Sequence, residues 1–320
     1  MSCSTADVLA ATVRSGLVES THPWSGVVVD ASGKTHHAWG DPSRPLYYRS
    51  AVKAIQATVS QECGAALPPE HLALACASHS GSDAHVAIVR SILAGGGLDE
   101  TALRCPPDLP LGSAERRRAV AAARTPRPVF HNCSGKHAGF LRACVASGWP
   151  LESYTSPDHP LQRRVSELTY ELTGIDGRPP GIDGCGAPTL RGSLEGLALA
   201  FARITADDRF TEVRTAMTRY PALTSGNERP DGRLAMWWDG PVKGGAEGVL
   251  ALSRHGTGIA VKSHGGSIDV AVQAAIEIVT RLGMLPPPAL AALEPLHRRP
   301  VLGGGAVVGE IVASHGGAGA

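Results

Sequence analysis

The alternation of apolar and polar positions divides the chain into strand-like ends and a helical middle. Near the start, three short apolar runs predict strands, and the turn-forming segment Ala31–Lys34 joins the last two of them. These early runs are Leu17–Glu19, Val27–Asp30 and Thr35–Trp39. Strand-like runs return late in the chain at Leu234–Trp238, Gly248–Leu252, Gly258–Lys262 and Ala306–Val312.

Between residues 50 and 220 the apolar positions recur with helical spacing. Helices are expected near 50–63, 83–94, 114–124, 157–173, 191–204 and 209–219, with one more at 268–283. We therefore predict an α/β fold in which residues 1–49 and 220–320 build an antiparallel sheet and residues 50–219 form a mainly helical region beside it. Both parts belong to one compact unit, and a ligand site is expected in the cleft between them.

Length and charge narrow the classes of function. With 320 residues, 43% of them apolar, the chain can bury a substantial core. Lys+Arg 30 against Asp+Glu 29 give a formal net charge of +1, and no basic block suits a phosphate backbone, so nucleic acid is not an expected partner. No apolar stretch approaches the ~18–20 residues of a membrane-spanning helix, so we expect no membrane association.

The number and spacing of the cysteines indicate a reducing compartment. There are seven of them, an odd number, and they are widely spaced, unlike the dense even framework of small secreted domains. The first 20 residues also lack the pattern of a secretory signal. We expect free thiols and a cytoplasmic protein.

Ser50 and Lys53 are a candidate catalytic pair. They are three positions apart at a predicted helix start, so both side chains can lie on one face. A serine nucleophile needs a base, and a lysine whose pKa is lowered by burial and nearby positive charge can accept its proton near pH 7. Ser50 as a helix N-cap with an exposed Lys53 is the commoner explanation of such a tetrapeptide.

Ser80 and Lys262 are further candidates at the ends of apolar runs. Ser80 closes the polar segment Ser78–Ser80 after the run His71–Ala77, and Lys262 ends a predicted strand. A catalytic Ser80 can relay a proton or act as a second nucleophile if Lys262 reaches it. Taken separately, Ser80 belongs to an ordinary cap and Lys262 is a solvated edge-strand lysine.

Cys133, Lys136 and Cys185 are candidate metal ligands. Cys133 and Lys136 are three positions apart, and Cys185 lies between two glycines much later in the chain. Two thiolates can share a Zn²⁺ ion, but a lysine ligand has to be neutral, which is uncommon, and buried free thiols are the commoner outcome. Asp183 can hold a substrate ammonium, orient Lys53 or bind a metal through water; as a turn-former it needs no function.

Six short segments, taken together in this order, resemble the asparaginase II family of the rhizobial inducible, thermolabile type. The likeness extends over residues 12–312, and several independent motifs in register are far more specific than any one. The segments are Arg49–Lys53, Cys76–Ser80, Asn132–His137, Asp183–Cys185, Gly244–Gly248 and Gly258–Lys262.

The resemblance implies a fold like that of serine β-lactamases and penicillin-binding proteins, and hydrolysis of L-asparagine to L-aspartate and ammonia. It implies that Ser50 attacks the carboxamide with Lys53 as base. It also implies that Ser80 and Lys262 form a second Ser-Lys pair, with Asp183 beside them.

The resemblance further implies a zinc ion near the chemistry, held by Cys133, Lys136 and Cys185. Arg49 is expected to hold the α-carboxylate of the substrate because it precedes Ser50. A homodimer is expected from the family and from base rates.

Two other functions stay open at this point. One is a serine hydrolase acting on β-lactams or D-Ala peptides, disfavoured because Ser263 and His264 follow Lys262 where a K-T-G strand would continue. The other is a non-catalytic, zinc-containing asparagine-binding sensor, for which the sequence offers no DNA-binding motif or partner domain.

Overall fold

The elements follow one another in the order strands, helices, strands, and the computed structural model describes them over residues 9–314. The strands are β1 (Leu9–Arg14), β2 (Leu17–Asp30), β3 (Thr35–Trp39), β4 (Leu46–Tyr47), β5 (Gly181–Ile182), β6 (Pro188–Thr189), β7 (Arg191–Gly192), β8 (Val242–Gly245), β9 (Val249–Arg254), β10 (Thr257–Ser263), β11 (Arg298–Gly303) and β12 (Ala306–Ser314). The α-helices are α1 (Lys53–Glu62), α2 (Pro69–Ala75), α3 (Asp83–Ala94), α4 (Ser113–Ala121), α5 (Ser134–Ser147), α6 (Pro160–Thr173), α7 (Leu194–Ala206), α8 (Thr211–Arg219), α9 (Pro221–Ser225), α10 (Pro230–Ala235), α11 (Ile268–Arg281) and α12 (Pro287–His297).

The main sheet combines strands from both ends of the chain. Its order is β11-β12-β1-β2-β10-β9-β8, with β3 also paired to β2. All of these pairs are antiparallel. The first half of β2 pairs with β1 and the second half, from Trp24 to Asp30, pairs with β10. The predicted α/β fold with an antiparallel sheet from both chain ends is therefore confirmed.

The central strands are buried on both faces. Along β2, Val27 and Val29 pack into the core shared with the helical region, whereas Val28 packs on the opposite side with α11. Because successive side chains of a strand point to opposite faces, this alternation requires apolar residues at every position. That requirement explains why these strands read as continuous apolar runs in the sequence.

Helices cover both faces of the sheet. Helix α7 packs so tightly on one face that a Cβ at Gly258 of β10 would overlap the Ala198 carbonyl. Helices α10, α11 and α12 cover the other face. Within residues 9–314, no helix combines the length and the apolar character needed to cross a membrane.

One predicted strand is wrong. Leu234–Trp238 was expected to be extended, but the chain forms α10 over Pro230–Ala235 and then turns. Leu234 and Trp238, four positions apart, are both buried, while Met236 and Trp237 between them are exposed. This spacing is that of a helical turn, and Pro230 at the first position favours a helix start.

Candidate active site

The candidate nucleophile lies at the mouth of the helical region. Arg49–Val52 form a short 3₁₀ turn that leads directly into α1, and Tyr48 before it is completely buried. Ser50 is half-buried and Lys53, one turn later, is buried. The two side chains thus lie on one helical turn, with Ser50 open to a ligand and Lys53 behind it.

Lys53 is held by three acceptors deep in the helical region. Its Nζ donates to Ala77 O at 2.5 Å, to Ser78 Oγ at 3.1 Å and to Cys133 Sγ at 3.2 Å. Among the described residues these are the hydrogen bonds of the ammonium group, so in this state it faces Ser78 and not Ser50. Lys53 therefore connects the nucleophile's turn to two further polar clusters.

Ser78 is shared by two lysines. Its Oγ lies 3.0 Å from Lys243 Nζ, which also donates to Gly244 O at 2.5 Å. Lys243 is on β8, where Val242 faces the α11 side, so the alternation of the strand directs Lys243 to the helical side. We call the row of buried side chains Lys53, Ser78 and Lys243 the lysine–serine row.

Burial and charge set the protonation of Lys243. Burial, followed by the nearby charge of Lys53, lowers the pKa of Lys243 to about 7. The charge of Asp231 opposes this shift. Asp231 is buried and ion-paired to Arg229 at 3.1 Å. The charges of Arg229 and Lys243 keep the pKa of Asp231 low despite its burial. An amine with a pKa near 7 can exchange protons at neutral pH, which an ordinary lysine cannot.

Gly245 lies against the backbone of the turn that carries Ser50. A Cβ at Gly245 would lie 3.3 Å from the backbone nitrogen atoms of Ser50 and Ala51. The Ala51 N–H donates to Tyr48 O at 3.1 Å, so the Ser50 N–H is the candidate donor to a developing oxyanion.

Ser80 and Lys262 line separate cavities. Ser80 Oγ lies 3.3 Å from His85 Nδ1 and borders a cavity of about 640 Å³ with Ser225 and Arg229. Lys262 Nζ donates to the carbonyl oxygens of Glu247 and Ser263 and borders a different cavity. In this structure the serine that meets a strand lysine is Ser78, and its partner is Lys243.

The thiols form a second polar cluster next to Lys53. Ligand atoms of Cys133, Asp183 and Cys185 all lie within 4.8 Å of one another. Cys133 precedes α5, and the β5–β6 hairpin carries Asp183 and Cys185 towards it. Lys136 Nζ, in the first turn of α5, donates to Cys185 Sγ at 3.0 Å. The three predicted metal ligands and Asp183 are thus brought together.

The electrostatics of this thiol cluster favour a thiolate. A hydrogen bond from Cys133 and the charge of Lys136 hold the pKa of Cys185 far below that of a free thiol. Burial disfavours the charged form of Lys136, but the adjacent Cys185 and Cys133 outweigh this effect and raise the pKa of Lys136. His137 is completely buried, and its Nδ1 contacts Tyr154 Oη. Burial lowers the pKa of His137 to about 4, although a hydrogen bond with Cys185 opposes this shift.

The residues of the thiol cluster fit a zinc ion. Two cysteine sulfurs, a carboxylate and an amine converge, and thiolate sulfur is a preferred ligand of Zn²⁺. Cys133, Lys136 and Cys185 are the residues that would hold the ion, and Lys136 would have to release its proton to do so.

Arg49 and Asp183 form an ion pair at the entrance. Arg49 Nε donates to Asp183 Oδ1 at 2.7 Å, and both side chains are mostly buried. Arg49 adopts φ 51°, a left-handed conformation that costs a non-glycine residue free energy. The ion pair connects the backbone of the Ser50 turn to the hairpin that carries Cys185.

The sequence analysis does not single out Ser78, Lys243 or Asp231, which the structure places near Lys53. Ser78 lies in the Cys76–Ser80 segment, and Lys243 directly precedes the Gly244–Gly248 segment. The available signal was the Lys243-Gly244-Gly245 segment, since a lysine followed by glycines on an edge strand can lie close to a neighbouring helix start. Only the sheet order shows that this strand is the one beside Ser50.

The chain belongs to the L-asparaginase II family, whose sequence model matches residues 10–313. This membership makes it an asparaginase-type amidohydrolase, a hydrolase acting on amides. No curated protein matches the chain significantly.

Solved structures that are similar to the chain include Mglu, a β-lactamase and a glutaminase. The Mglu structure is 13% identical with a TM-score of 0.38, and the match covers 83% of this chain but only 63% of Mglu. A β-lactamase from Mycobacterium bovis is 15% identical with a TM-score of 0.37, covering 86% of this chain and 95% of that one. A Bacillus glutaminase is 12% identical with a TM-score of 0.34, covering 82% and 91%.

Proposed function

We propose that this protein hydrolyses L-asparagine to L-aspartate and ammonia through an acyl-enzyme on Ser50. The observation that carries the proposal is the lysine–serine row, in which two buried lysines share Ser78 directly behind the half-buried Ser50. Membership of the L-asparaginase II family supports the choice of L-asparagine.

Acylation begins with proton transfer between the two lysines. Burial and the charge of Lys53 lower the pKa of Lys243 to about 7, so Lys243 is neutral above that pH and accepts a proton from Lys53 through Ser78. Lys53 then accepts the hydroxyl proton of Ser50 as Ser50 Oγ attacks the side-chain carboxamide carbon. The Ser50 N–H beside Gly245 stabilises the oxyanion.

Breakdown of the tetrahedral intermediate needs a proton on the leaving nitrogen. Lys53 gives its new proton to Ser78, and the Ser78 hydroxyl gives its own to the amide nitrogen, so that the C–N bond breaks and ammonia leaves. Water then attacks the ester carbon, its proton passes to Lys53, and Ser50 regains a proton as L-aspartate leaves.

The thiol cluster acts beside this path. Lys53 Nζ lies 3.2 Å from Cys133 Sγ, so the charge state of the cluster acts directly on the base. Zinc bound by Cys133, Lys136 and Cys185 would supply fixed positive charge next to Lys53. Asp183 holds Arg49 at the entrance, where Arg49 contributes to binding of the substrate carboxylate.

One observation favours a second candidate function, hydrolysis of a β-lactam or a D-Ala peptide. The Lys243-Gly244-Gly245 strand lies beside Ser50, a position in which β-lactam-acting enzymes use a K-T-G strand. The earlier objection, that Ser263 follows Lys262, does not apply to Lys243. A β-lactam or D-Ala-peptide substrate predicts covalent labelling of Ser50 by a fluorescent penicillin, whereas the asparaginase proposal predicts none.

The deciding experiment is ammonia release from L-asparagine by the purified protein, with L-glutamine in parallel. We expect release from L-asparagine with L-glutamine nearly inert. Absence of ammonia from both substrates, with the protein folded, contradicts the proposal and favours the asparagine-binding sensor if L-asparagine still raises the melting temperature. A cytoplasmic location and a homodimer remain predictions that cell fractionation and light scattering can check.

A further inference from the structure

A basic cavity adjoins the turn that carries Ser50. It has a volume of about 270 Å³, and Arg49, the neighbour of Ser50, forms part of its wall. Glu247 lines it from the turn after β8, and Lys262 and His264 line it from the end of β10. Arg44 completes the basic lining. Arg49 connects the cavity to the backbone of the Ser50 turn, and Ser78 is not part of the lining.

One basic side chain of this cavity has no partner. Arg44, Arg49, Lys262 and His264 line it together with the carboxylates of Asp41 and Glu247, and Arg49 is ion-paired to Asp183 at 2.7 Å. The Asp41 carboxylate accepts from Ser43 N at 3.0 Å and Ser43 Oγ at 2.6 Å. Over residues 9–314, the Arg44 guanidinium makes no hydrogen bond or ion pair. Arg44 is therefore able to bind a small anion in this cavity.

Lys262 is fixed in place with donor capacity to spare. Backbone carbonyls of Glu247 and Ser263 each accept from its Nζ at 2.5 Å. An ammonium group has three donors, so one is left for a ligand. Two fixed acceptors limit the rotation of the group, which lowers the entropy lost when the third donor binds.

Backbone strain also marks this cavity. Arg49 and Glu247 both line it, and both are non-glycine residues in the left-handed region, with φ 51° and φ 61°. Such conformations cost free energy and concentrate at ligand sites, where surrounding contacts maintain them. Here the Arg49–Asp183 ion pair and the Lys262–Glu247 carbonyl contact maintain them.

We propose that this cavity binds the α-carboxylate of the amino-acid substrate, with Arg44 and Lys262 as specificity-determining residues. The inference rests on the proposed function. In the proposed reaction ammonia leaves beside Ser78, which does not line the cavity, so the cavity is available to the rest of the acyl group. Lys262 then recognises the negative charge of the substrate and transfers no proton in the reaction.

The test compares two substrates in variants of the full-length protein. Arg44→Gln and Lys262→Gln are assayed with L-asparagine and with its α-methyl ester, which lacks the carboxylate charge. Each variant is expected to raise KM for L-asparagine about tenfold or more, the loss typical of a hydrogen bond between charged groups, with kcat within about twofold of the wild type. For the ester, wild type and variants are expected to have the same KM.

Matched controls separate a local effect from a general change of charge. Lys34→Gln removes an exposed lysine at the β2–β3 turn, and Arg117→Gln removes an exposed arginine on α4. Neither control should change KM for either substrate. Melting temperatures of all four variants verify folding.

The outcomes distinguish this inference from the proposed function. Wild type that releases no ammonia from L-asparagine overturns the proposed function itself. Wild type that is active, with KM unchanged in both cavity variants, overturns the carboxylate subsite alone. An equal KM increase for L-asparagine and its ester also overturns it, because the effect would not depend on the carboxylate.

Discussion

Lys243 on β8 and Lys262 on β10 lie on strands that both pair with β9, yet the surroundings of the two lysines differ completely. Lys243 is enclosed between β8 and the helical region, where burial and Lys53 lower its pKa to about 7. Lys262 is partly exposed, and its Nζ is held by backbone carbonyls beside a basic cavity. The comparison shows that packing between two elements, and not the flanking residues, determines which lysine can carry a proton in a reaction.

The same contrast separates two serines that are two positions apart. Ser78 is buried between Lys53 and Lys243, whereas Ser80 contacts His85 at the wall of another cavity. The proposed chemistry therefore assigns proton transfer to Ser78 and Lys243, and the sequence-based assignment gives it to Ser80 and Lys262. The following predictions decide between the two assignments, after a test of the nucleophile that they share.

The largest effect is expected from Ser50→Ala. Removal of the attacking oxygen should lower kcat by roughly 10³-fold or more, because no neighbouring group can form the acyl-enzyme. Ser50 is only half-buried, so the melting temperature should stay close to that of the wild type. Steady-state ammonia release and a thermal melt check both points, and turnover near the wild-type rate contradicts the role of Ser50.

The two lysines should respond differently to removal of their charge. Lys243→Met is expected to lower kcat by about 10²- to 10⁴-fold, the contribution typical of general acid–base groups. Lys262→Gln is expected to leave kcat within about twofold and to act on KM. The measurement is a set of full Michaelis–Menten curves, and a large loss of kcat in Lys262→Gln with little loss in Lys243→Met would restore the sequence-based assignment.

The two serines give an independent comparison. Ser78→Ala breaks the hydrogen-bonded path from Lys53 to the leaving nitrogen, and we expect kcat to fall by about 10²-fold. Ser80→Ala should change kcat by less than about threefold, since general acid–base catalysis does not pass through it. Equal losses in the two variants would show that Ser80 shares the role of Ser78.

The pH dependence sharpens the argument about Lys243. Below its pKa of about 7, Lys243 is protonated and cannot accept a proton from Lys53 through Ser78, so Lys53 is not released to act as a base. Activity should therefore rise with pH through about 7 and reach a plateau above it, a profile that kcat/KM measurements report for the free enzyme. Lys243→Arg, which cannot lose its proton, should be inactive over the whole range. A profile that is flat between pH 6 and 8 contradicts this account.

A smaller effect is expected from loss of the metal. Chelation, or Cys185→Ser, should release zinc and lower the melting temperature by several degrees, because ions bound to the folded state stabilise it. Zinc content by elemental analysis, with and without chelator, gives a readout independent of activity. Protein that contains no zinc as purified, and whose melting temperature does not rise when zinc is added, contradicts the predicted metal site.

The local features of the site were predictable from the sequence because they depend on short spacing. Ser50 and Lys53 are one helical turn apart, and the structure places them so. The thiol cluster was identified through family resemblance, since nothing in the local sequence connects Cys133 with Cys185. The strands of the sheet were found where both faces are apolar, as at Val27–Val29.

The remaining features depend on contacts between distant segments. Helix α5 was not predicted because residues Ser134–Leu141 are buried on every side, which removes the amphipathic pattern. Gly135 in that helix is required by packing, since a Cβ there would overlap the Leu74 carbonyl of α2. The pairing of Ser78 with Lys243 follows from the position of β8 at the sheet edge, which no local pattern indicates.

The most direct test of the central claim is mass spectrometry of the protein quenched during turnover of L-asparagine. We predict an aspartyl ester on Ser50, formed while ammonia is released. Ammonia release with Ser50 unmodified, or an ester on Ser78 in its place, would contradict the account.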